Sequence, residues 1–437
     1  MSTESTAVES RIWAIFAYFA PLTLLIYLAA PNGYLLDIAT SFMLKNQLQA
    51  SAEQVANFRV LTAIPVYVAF AFGLARDLWN PFGRRDRGLL MIFGSASAAV
   101  YVWLSQAPLS YTGLLAGMLV AMVAGSFLGA AHRGLLALVG QEKLMSGRLS
   151  ALWNVLWALP YAIGGFASGY VTEHVPPAVT FLLVATLCAA LALFGLWRPQ
   201  AVFADTYDQP LAQGSSLAGD LRRLVRHRAA YAPVLLIFMF QFAPGLNTPM
   251  QYYLTERLHA GDAAYGNFMG IFQIGLIPAY IVYGVLCRRI ALKWLLWGGI
   301  LVSIPQLLPL TIVRSAEAAL WLALPIGMMG GFAFAALCDL TMRSCPPGLQ
   351  GALMMTMGGA FELSTRGSDI LGAAIYAASP AHGFLYCALT TSAVYTLMLP
   401  VLWLIPPELV ATADGERNPV VDAEVLAEIG AATPAAG

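Results

Sequence analysis

Long apolar stretches alternate with short polar segments along almost the whole chain, and this pattern predicts the architecture. A helix that crosses the hydrocarbon core of a bilayer needs about 20 consecutive apolar residues, because all its backbone hydrogen bonds must close internally. Such stretches occur near residues 18–44, 55–75, 88–106, 112–139, 149–172, 178–197, 232–255, 264–287, 294–313, 318–341, 351–379 and 383–405. We therefore expect an all-α polytopic membrane protein with twelve transmembrane helices.

Residue composition supports the membrane assignment. Of 437 residues, 59% are hydrophobic and 11% are charged, whereas a soluble domain carries roughly 25% charged residues. Lysine and arginine together number 23, as do aspartate and glutamate, so no basic excess indicates a nucleic-acid partner. The five cysteines form neither a disulfide framework nor a zinc pattern, and no glycine-rich phosphate loop is present. We expect no cofactor, no metal site and no enzymatic activity.

Positive charges decide the expected orientation. With the N-terminus inside, the inner loops and tails hold 17 lysine and arginine residues, and the outer loops hold three. Cytoplasmic loops of membrane proteins carry such an excess. Both termini are therefore expected in the cytoplasm, and we expect a monomer in a bacterial cytoplasmic (inner) membrane.

An internal repeat divides the chain into two halves. The spacing of Leu44, Leu48, Ala50 and Asn57-Phe58 recurs 210 residues later. The second copy consists of Leu254, Leu258, Ala260 and Asn267-Phe268. A constant offset over several positions indicates a duplication rather than coincidence. Because six is an even number, the two six-helix halves should insert in the same orientation.

The repeat sets the domain organisation. We expect an N-terminal six-helix bundle over 1–197, a cytoplasmic linker over 198–231, a C-terminal six-helix bundle over 232–405 and a flexible cytoplasmic tail over 406–437. Two parallel six-helix repeats are typical of the Major Facilitator Superfamily, in which the substrate cavity lies between the halves near the midplane.

The loop after the second predicted helix resembles the inner-loop signature of that superfamily. It contains Gly73, Asp77, Gly83, Arg84 and Arg85. The resemblance implies a gating loop, in which Asp77 and the arginines form a charge clasp that holds one access state. The alternative is a solvated basic loop that only sets the topology.

Two further stretches resemble the folate–biopterin transporter family. They are 232–255, with Pro244-Gly245 and Tyr252 inside it, and 343–348. Residues 82–85 are also similar to the muropeptide permeases. This chain departs from the family in the fourth helix, where 130–133 carries His132-Arg133 instead of an acid, and in the charged eleventh helix.

Charged side chains inside predicted spans are candidates for function, because burying them in a bilayer costs several kcal/mol. The eleventh helix carries Glu362, Arg366 and Asp369, and their spacings of four and seven place them on one face. We expect all three to line the cavity. The alternative is a structural ion pair between Glu362 and Arg366.

Breaks in corresponding helices point to a binding site, since the freed backbone groups need polar partners. The breaks are Pro31-Asn32-Gly33 and Pro244-Gly245, and the 210-residue offset relates Asp37 to Asn247. The candidate substrate-binding or coupling residues are Asp37, Arg133, Gln241, Asn247, Tyr252, Gln273, Glu362, Arg366 and Asp369. For Asp37 an outer-end position stays open, and for Arg133 a position at the cytoplasmic helix end stays open.

The predicted function is secondary active transport of a small organic solute, for which the resemblance implies a pterin or folate-like compound. Trp153 and Trp157 could stack on a flat ring or simply pack. We expect proton coupling through Asp37 or Asp369, with sodium as the alternative ion. The other candidates are a muropeptide or organic-anion permease and a transport-inactive pigment or lipid assembly factor. A membrane-embedded transferase is disfavoured, because the acidic pair Asp205 and Asp208 and the pair His259 and Asp262 lack supporting residues.

Overall fold

A computed structural model describes residues 3–33, 36, 40, 43–108, 110–203, 217–261, 264–379 and 381–416. Regular secondary structure in these ranges is entirely helical. The candidate Asp37 and residues 204–216 of the predicted linker lie outside them.

The helices follow the predicted order, and we number them α1 to α12. The first half contains α1 (Thr3–Leu28), α2 (Ala52–Tyr67 and Ala69–Leu78), α3 (Asp86–Gln106), α4 (Tyr111–Glu142), α5 (Ser146–His174) and α6 (Pro177–Phe194). The second half contains α7 (Tyr231–Gln241, Thr248–Tyr252 and the π-helix Tyr253–Arg257), α8 (Ala264–Leu286), α9 (Leu292–Ser303 and Leu308–Ile312), α10 (Ala316–Arg343), α11 (Gln350–Ala378) and α12 (Gly383–Val401). Shorter helices span Leu217–Arg226 in the linker and Pro407–Val410 in the tail.

Most of these helices have the length and hydropathy of membrane spans. Among the described residues, nine helical segments are long and apolar enough to cross a bilayer. The helix of α7 is shorter, because Pro244-Gly245 interrupts it. Helices α5 and α11 are 29 residues long each, and α11 carries the three predicted charges. The order of segments is consistent with the predicted twelve spans.

The outer surface of the bundle suits a lipid environment. Large apolar side chains project outward, as at Trp321, which is 76% exposed, and Ile312, which is 80% exposed. An extended apolar surface of this kind is rare in soluble monomers. The molecule is therefore a multi-pass integral membrane protein.

Small residues allow the helices to approach one another closely. A side chain at Gly73 of α2 would collide with the backbone at Gly351 of α11, so these two helices touch through their main chains. Within the second half, Gly275 of α8 and Gly327 of α10 play the same role. Such contacts are typical of helix packing in membranes. The α2–α11 contact joins the two halves.

The predicted repeat is visible in backbone geometry. The π-helix Met43–Gln47 recurs 210 residues later as Tyr253–Arg257. A left-handed residue follows each one, Gln49 with φ of 49° and His259 with φ of 52°. Matching backbone bonds close the two turns: Leu48 N to Met43 O (2.9 Å) and Ala50 N to Leu44 O (2.8 Å), then Leu258 N to Tyr253 O (3.1 Å) and Ala260 N to Leu254 O (2.9 Å). Two parallel repeats are therefore confirmed.

The start of the C-terminal tail is packed rather than flexible. The sequence prediction assigns a flexible tail to 406–437. Instead, Pro407–Val410 is helical, and Asp414 is 7% exposed. Its carboxylate accepts hydrogen bonds from α5, which the apolar pattern of the tail does not reveal. Residues 417–437 lie outside the described part of the chain.

Candidate functional site

A cavity of about 390 Å³ lies between the two halves. The residues that line it come from α1, α2, α4, α5, α7, α8, α10, α11 and α12, and from Gln306 between the two parts of α9. Five of the predicted site residues meet there, namely Arg133, Gln241, Asn247, Gln273 and Glu362. They come from four helices, α4, α7, α8 and α11, of both halves. The fold thus brings together polar groups that are more than 100 residues apart in sequence.

Arg133 occupies a defined position in this cavity. The carbon of its guanidinium lies 5.7 Å from the centroid of the Trp153 ring. A side chain at Gly358 of α11 would collide with its Nη1 atom, so the guanidinium lies against the α11 backbone. Glu362, one turn further along α11, interacts electrostatically with Arg133 and with Arg366. Within the described ranges, Arg133 has neither an ion pair nor a hydrogen bond.

The environment of Arg133 is held in place by buried hydrogen bonds. Trp153 Nε1 donates to Tyr27 Oη at 2.7 Å, which fixes the indole beneath the guanidinium. The neighbouring His132 is 1% exposed, and its Nε2 atom lies 2.7 Å from Thr23 Oγ1. These contacts anchor α4 and α5 to α1. Sequence reasoning missed Tyr27 and Thr23, because nothing in their local sequence distinguishes them from packing residues.

Aromatic side chains form one wall of the cavity. Phe334 of α10 lies at the centre, with ring-centroid distances of 6.0 Å to Trp157, 6.1 Å to Phe240 and 6.0 Å to Phe361. The Phe240 ring also stacks on Tyr395 at 5.1 Å. Flat apolar faces beside a few polar groups are typical of small-molecule sites. This wall can accept a planar ring.

Gln273 of α8 supplies a polar group without a partner. The residue is 6% exposed, and its Oε1 atom has no hydrogen-bond partner among the described residues. Buried polar atoms are nearly always hydrogen-bonded to protein, water or ligand. The amide therefore favours an occupant of the cavity that donates a hydrogen bond.

Three predicted site residues lie elsewhere, which corrects the prediction that they line the cavity. Asp369 accepts hydrogen bonds from Thr248 N at 2.8 Å and Thr248 Oγ1 at 3.1 Å, so it caps the broken part of α7. Arg366 is exposed and outside the cavity lining. Tyr252 is 48% exposed and lies 6.1 Å from the Tyr376 ring. Because seven helical residues span about 10.5 Å, sharing a face with Glu362 does not place Asp369 at the same depth.

At one end of the bundle, Asp77 joins the two halves. This end carries the α2–α3, α4–α5, α8–α9 and α10–α11 loops, and we call it the arginine-rich end. The carboxylate of Asp77 accepts hydrogen bonds from Gly351 N at 3.0 Å, Ala352 N at 2.7 Å and Arg76 Nη1 at 2.7 Å. Arg76 also binds Asp86 at 2.5 Å. Asp77 thus satisfies the free amides and the positive dipole at the start of α11.

The structure corrects one of the two predicted partners of Asp77. The sequence interpretation assigns Arg84 and Arg85. Arg84 is exposed, with Nη1 3.6 Å from Met91 Sδ, whereas Arg85 interacts electrostatically with Asp77. The Arg85 backbone amide donates to Asn80 Oδ1 at 2.8 Å, and burial, followed by the Arg76 charge, lowers the pKa of its guanidinium. Gly83, with φ of 65°, makes the turn in this loop. The backbone amides at the start of α11, which have no partner within the helix, donate to Asp77 instead.

A second carboxylate acts in the same way at the start of α5. Asp414 accepts hydrogen bonds from Gly147 N at 2.9 Å and Arg148 Nε at 2.6 Å. Burial, and then the nearby Asp339, raises the pKa of the Asp414 carboxyl. Asp339 itself pairs with Arg343, four residues further along α10, at 2.9 Å.

Amide groups add to the contacts at this end. Gln141 Nε2 donates to Cys345 O at 2.8 Å, and Gln350 Nε2 donates to Gln141 Oε1 at 3.1 Å. Near the α5 start, Ser150 Oγ donates to Ala335 O at 2.7 Å. All these bonds connect the first half to the second, so the arginine-rich end is closed.

Comparisons with solved structures agree with this architecture. The Escherichia coli fucose:proton symporter aligns with a TM-score of 0.68 and 12% identity, covering 90% of this chain and 98% of that one. The human organic anion transporter TETRAN aligns with a TM-score of 0.61 and 16% identity, covering 90% and 99%. The transporter FucP in the outward conformation aligns with a TM-score of 0.63 and 14% identity, covering 90% and 98%. At these identities the likeness shows the shared fold.

Sequence comparison places the chain among transporters rather than enzymes. A curated relative, the folate-biopterin transporter of Synechocystis sp., is 23% identical over 411 residues, which cover 87% of this chain and 81% of the relative. The family model of the Major Facilitator Superfamily matches residues 13–365. Two parallel six-helix repeats around a central cavity, together with this match, show that the chain belongs to the Major Facilitator Superfamily.

Proposed function

We propose that this protein is a secondary active transporter of a planar, heteroaromatic organic anion of the pterin or folate type. The observation that carries the proposal is Arg133, held over Trp153 in a cavity with an aromatic wall and without an ion-pair partner in the described chain. The name of the Synechocystis relative, folate-biopterin transporter, supports the same substrate class.

Each part of the cavity would recognise a different part of such a solute. The rings of Phe334 and Trp157 would stack on the flat heterocycle. Gln273 Oε1 and the Glu362 carboxylate would accept hydrogen bonds from ring N–H and amino groups. Arg133 would bind a carboxylate, because its guanidinium offers two parallel donors to a planar anion.

The contacts at the arginine-rich end support transport by alternating access. We assign this end to the cytoplasm, because the inner loops hold most of the lysine and arginine residues. With Asp77 and Asp414 bound across the halves, the cavity is closed toward the cytoplasm. Transport would then require both contacts to break as the halves rock around the solute.

Glu362 is the carboxylate best placed for proton coupling. It lines the cavity and interacts with Arg133, so a change in its protonation alters the charge that the solute meets. Asp369 is occupied by Thr248, and Asp37 lies outside the described residues. Sodium remains the alternative ion for the same carboxylate.

Uptake into proteoliposomes tests this function. A panel of a pterin, folate and a muropeptide would be compared under an imposed pH gradient and under a sodium gradient. We expect accumulation of the pterin or folate with the pH gradient, and loss of gradient-driven accumulation in Glu362→Gln. Uptake of the muropeptide alone would identify a muropeptide permease, and binding without flux would identify an assembly factor that has lost transport.

A further inference from the structure

The starts of α5 and α11 occupy related positions in the two halves, yet different parts of the chain cap them. Gly73 of α2 contacts α11, and Gly284 of α8, at an offset of 211 residues, contacts α5 at Ala151. Asp77, four residues after Gly73, caps α11. The residue four positions after Gly284 is Arg288, an exposed basic residue, so this position offers no carboxylate to cap α5.

The C-terminal tail supplies the carboxylate that the α8–α9 loop lacks. Asp414 accepts hydrogen bonds from Gly147 N and Arg148 Nε, the first residues of α5. Its two carboxylate oxygens therefore satisfy one backbone amide and one guanidinium of α5, whereas Asp77 satisfies two backbone amides of α11 and the guanidinium of its neighbour Arg76. The side chain of Asp414 is 1% exposed in this ion pair.

Backbone contacts hold the tail against the second half. Asp414 N donates to Cys287 O at 2.8 Å, at the end of α8. Arg343 Nη1, at the end of α10, donates to Thr412 O at 3.0 Å. Gly415, with φ of +97°, then turns the chain, and Glu416 Oε2 accepts from Ala413 N at 3.1 Å. The tail is therefore fixed to α8 and α10, while its carboxylate binds α5 of the first half.

We propose that residues 407–416 form a C-terminal latch that holds α5 against the second half, and that Asp414 must release α5 before the arginine-rich end can open. Asp414 acts as a positioning residue, because it lies outside the lining of the cavity. The inference rests on the proposed alternating access. The latch goes beyond alternating access, because it makes the C-terminal tail, rather than a loop between transmembrane helices, the second closing element.

Cys287 reports directly on the latch. Its Sγ atom lies 3.0 Å from the position of a Cβ atom at Gly147, so the start of α5 covers the thiol. Because Cys287 is fully buried, maleimide reaches its thiol only when the arginine-rich end opens. A background in which Cys188, Cys338, Cys345 and Cys387 are alanine leaves Cys287 as the single reporter.

Maleimide labelling of purified full-length protein tests the latch. We expect Asp414→Asn to label faster on the order of tenfold, the shift that loss of a hydrogen bond to a charged group produces. Asp220→Asn is the matched control, because Asp220 is also buried at this end but pairs with Arg223 in the linker at 3.3 Å. It should label at the wild-type rate. An unchanged labelling rate in monodisperse Asp414→Asn protein overturns the latch.

Arg148→Gln keeps the test decisive if Asp414→Asn does not fold. It removes the same ion pair from the α5 side, and labelling of Cys287 should again accelerate; an unchanged rate overturns the proposal. Because labelling needs no solute, the labelling test of the latch and the uptake test of the proposed function can give independent results. In transport assays Asp414→Asn should change kcat and leave the solute Kd unchanged, whereas a weakened Kd contradicts the positioning role.

Discussion

The central cavity and the arginine-rich end differ in whether their buried polar groups have hydrogen-bond partners. In the cavity, Arg133 and the Oε1 atom of Gln273 have no hydrogen-bond partner within the described chain. At the arginine-rich end, Asp77 binds two backbone amides of the opposite half, and Asp414 binds one backbone amide and one guanidinium of the opposite half. An unpaired buried group is stabilised by a ligand, whereas a saturated group stabilises one conformation. The comparison separates recognition from gating.

The largest expected effect is the loss of recognition on removing the cavity cation. Arg133→Gln should reduce solute uptake about a hundredfold, because a charge-assisted bidentate contact contributes about 3 kcal/mol. Arg366→Gln removes an arginine from α11 outside the cavity, and it should retain most of the uptake. Initial rates in proteoliposomes measure both. Equal losses in the two variants would contradict the assignment of Arg133 to the solute.

The next effect concerns gating at α11. Asp77→Asn weakens the contact with the α11 amides and with Arg76, so the arginine-rich end should open on the order of tenfold more often and turnover should fall strongly. Arg84→Ala, in the same loop but exposed, should leave turnover nearly unchanged. Flux and solute binding are measured together. Normal turnover in Asp77→Asn would reduce the loop to a determinant of topology.

A smaller effect is expected from crowding the cavity without removing charge. Gly358→Ala places a methyl group where the Nη1 atom of Arg133 lies, so the guanidinium must move and solute affinity should fall severalfold. Gly359→Ala is the neighbouring control, because its new Cβ would have ordinary contacts at 3.6 Å. Binding isotherms measure the solute affinity of the two variants. Similar affinities would place the binding group elsewhere.

The smallest effect on transport is expected at Asp369. Since this residue caps the turn at Thr248, Asp369→Asn should lower stability by about 1 kcal/mol and leave proton-driven accumulation intact. Glu362→Gln should show the opposite pattern, with lost accumulation and little change in thermal stability. Thermal unfolding in detergent and uptake assays measure these quantities. Loss of proton-driven accumulation in Asp369→Asn would identify Asp369 as a proton carrier.

The charged residues of α11 show where sequence reasoning succeeds and where it stops. Helical spacing placed Glu362, Arg366 and Asp369 on one face, and Glu362 does line the cavity. The depth at which the cavity ends depends on the break in α7, which brings Thr248 to Asp369. No local pattern encodes that encounter, because the two residues are 121 positions apart.

The predicted clasp shows the same limit. Sequence identified Asp77 as a closing residue, but it could not name the partner, because helix-start amides carry no residue signature. Only the packing of Gly73 on Gly351 brings the carboxylate to those amides. The sequence of the tail did not predict its packing, since its composition resembles a flexible extension, whereas Asp414 is buried against α5.

Sequence alone determined the membrane class, the helix order and the duplication, because span length, apolar composition and a constant 210-residue offset are properties of the chain read in one dimension. Tertiary structure decided which polar groups meet. Arg133 reached Trp153, Asp77 reached α11 and Asp414 reached α5 only once the two halves had packed. The free energy of each contact depends on the burial and geometry that the opposite half supplies, and neither quantity is a property of the local sequence.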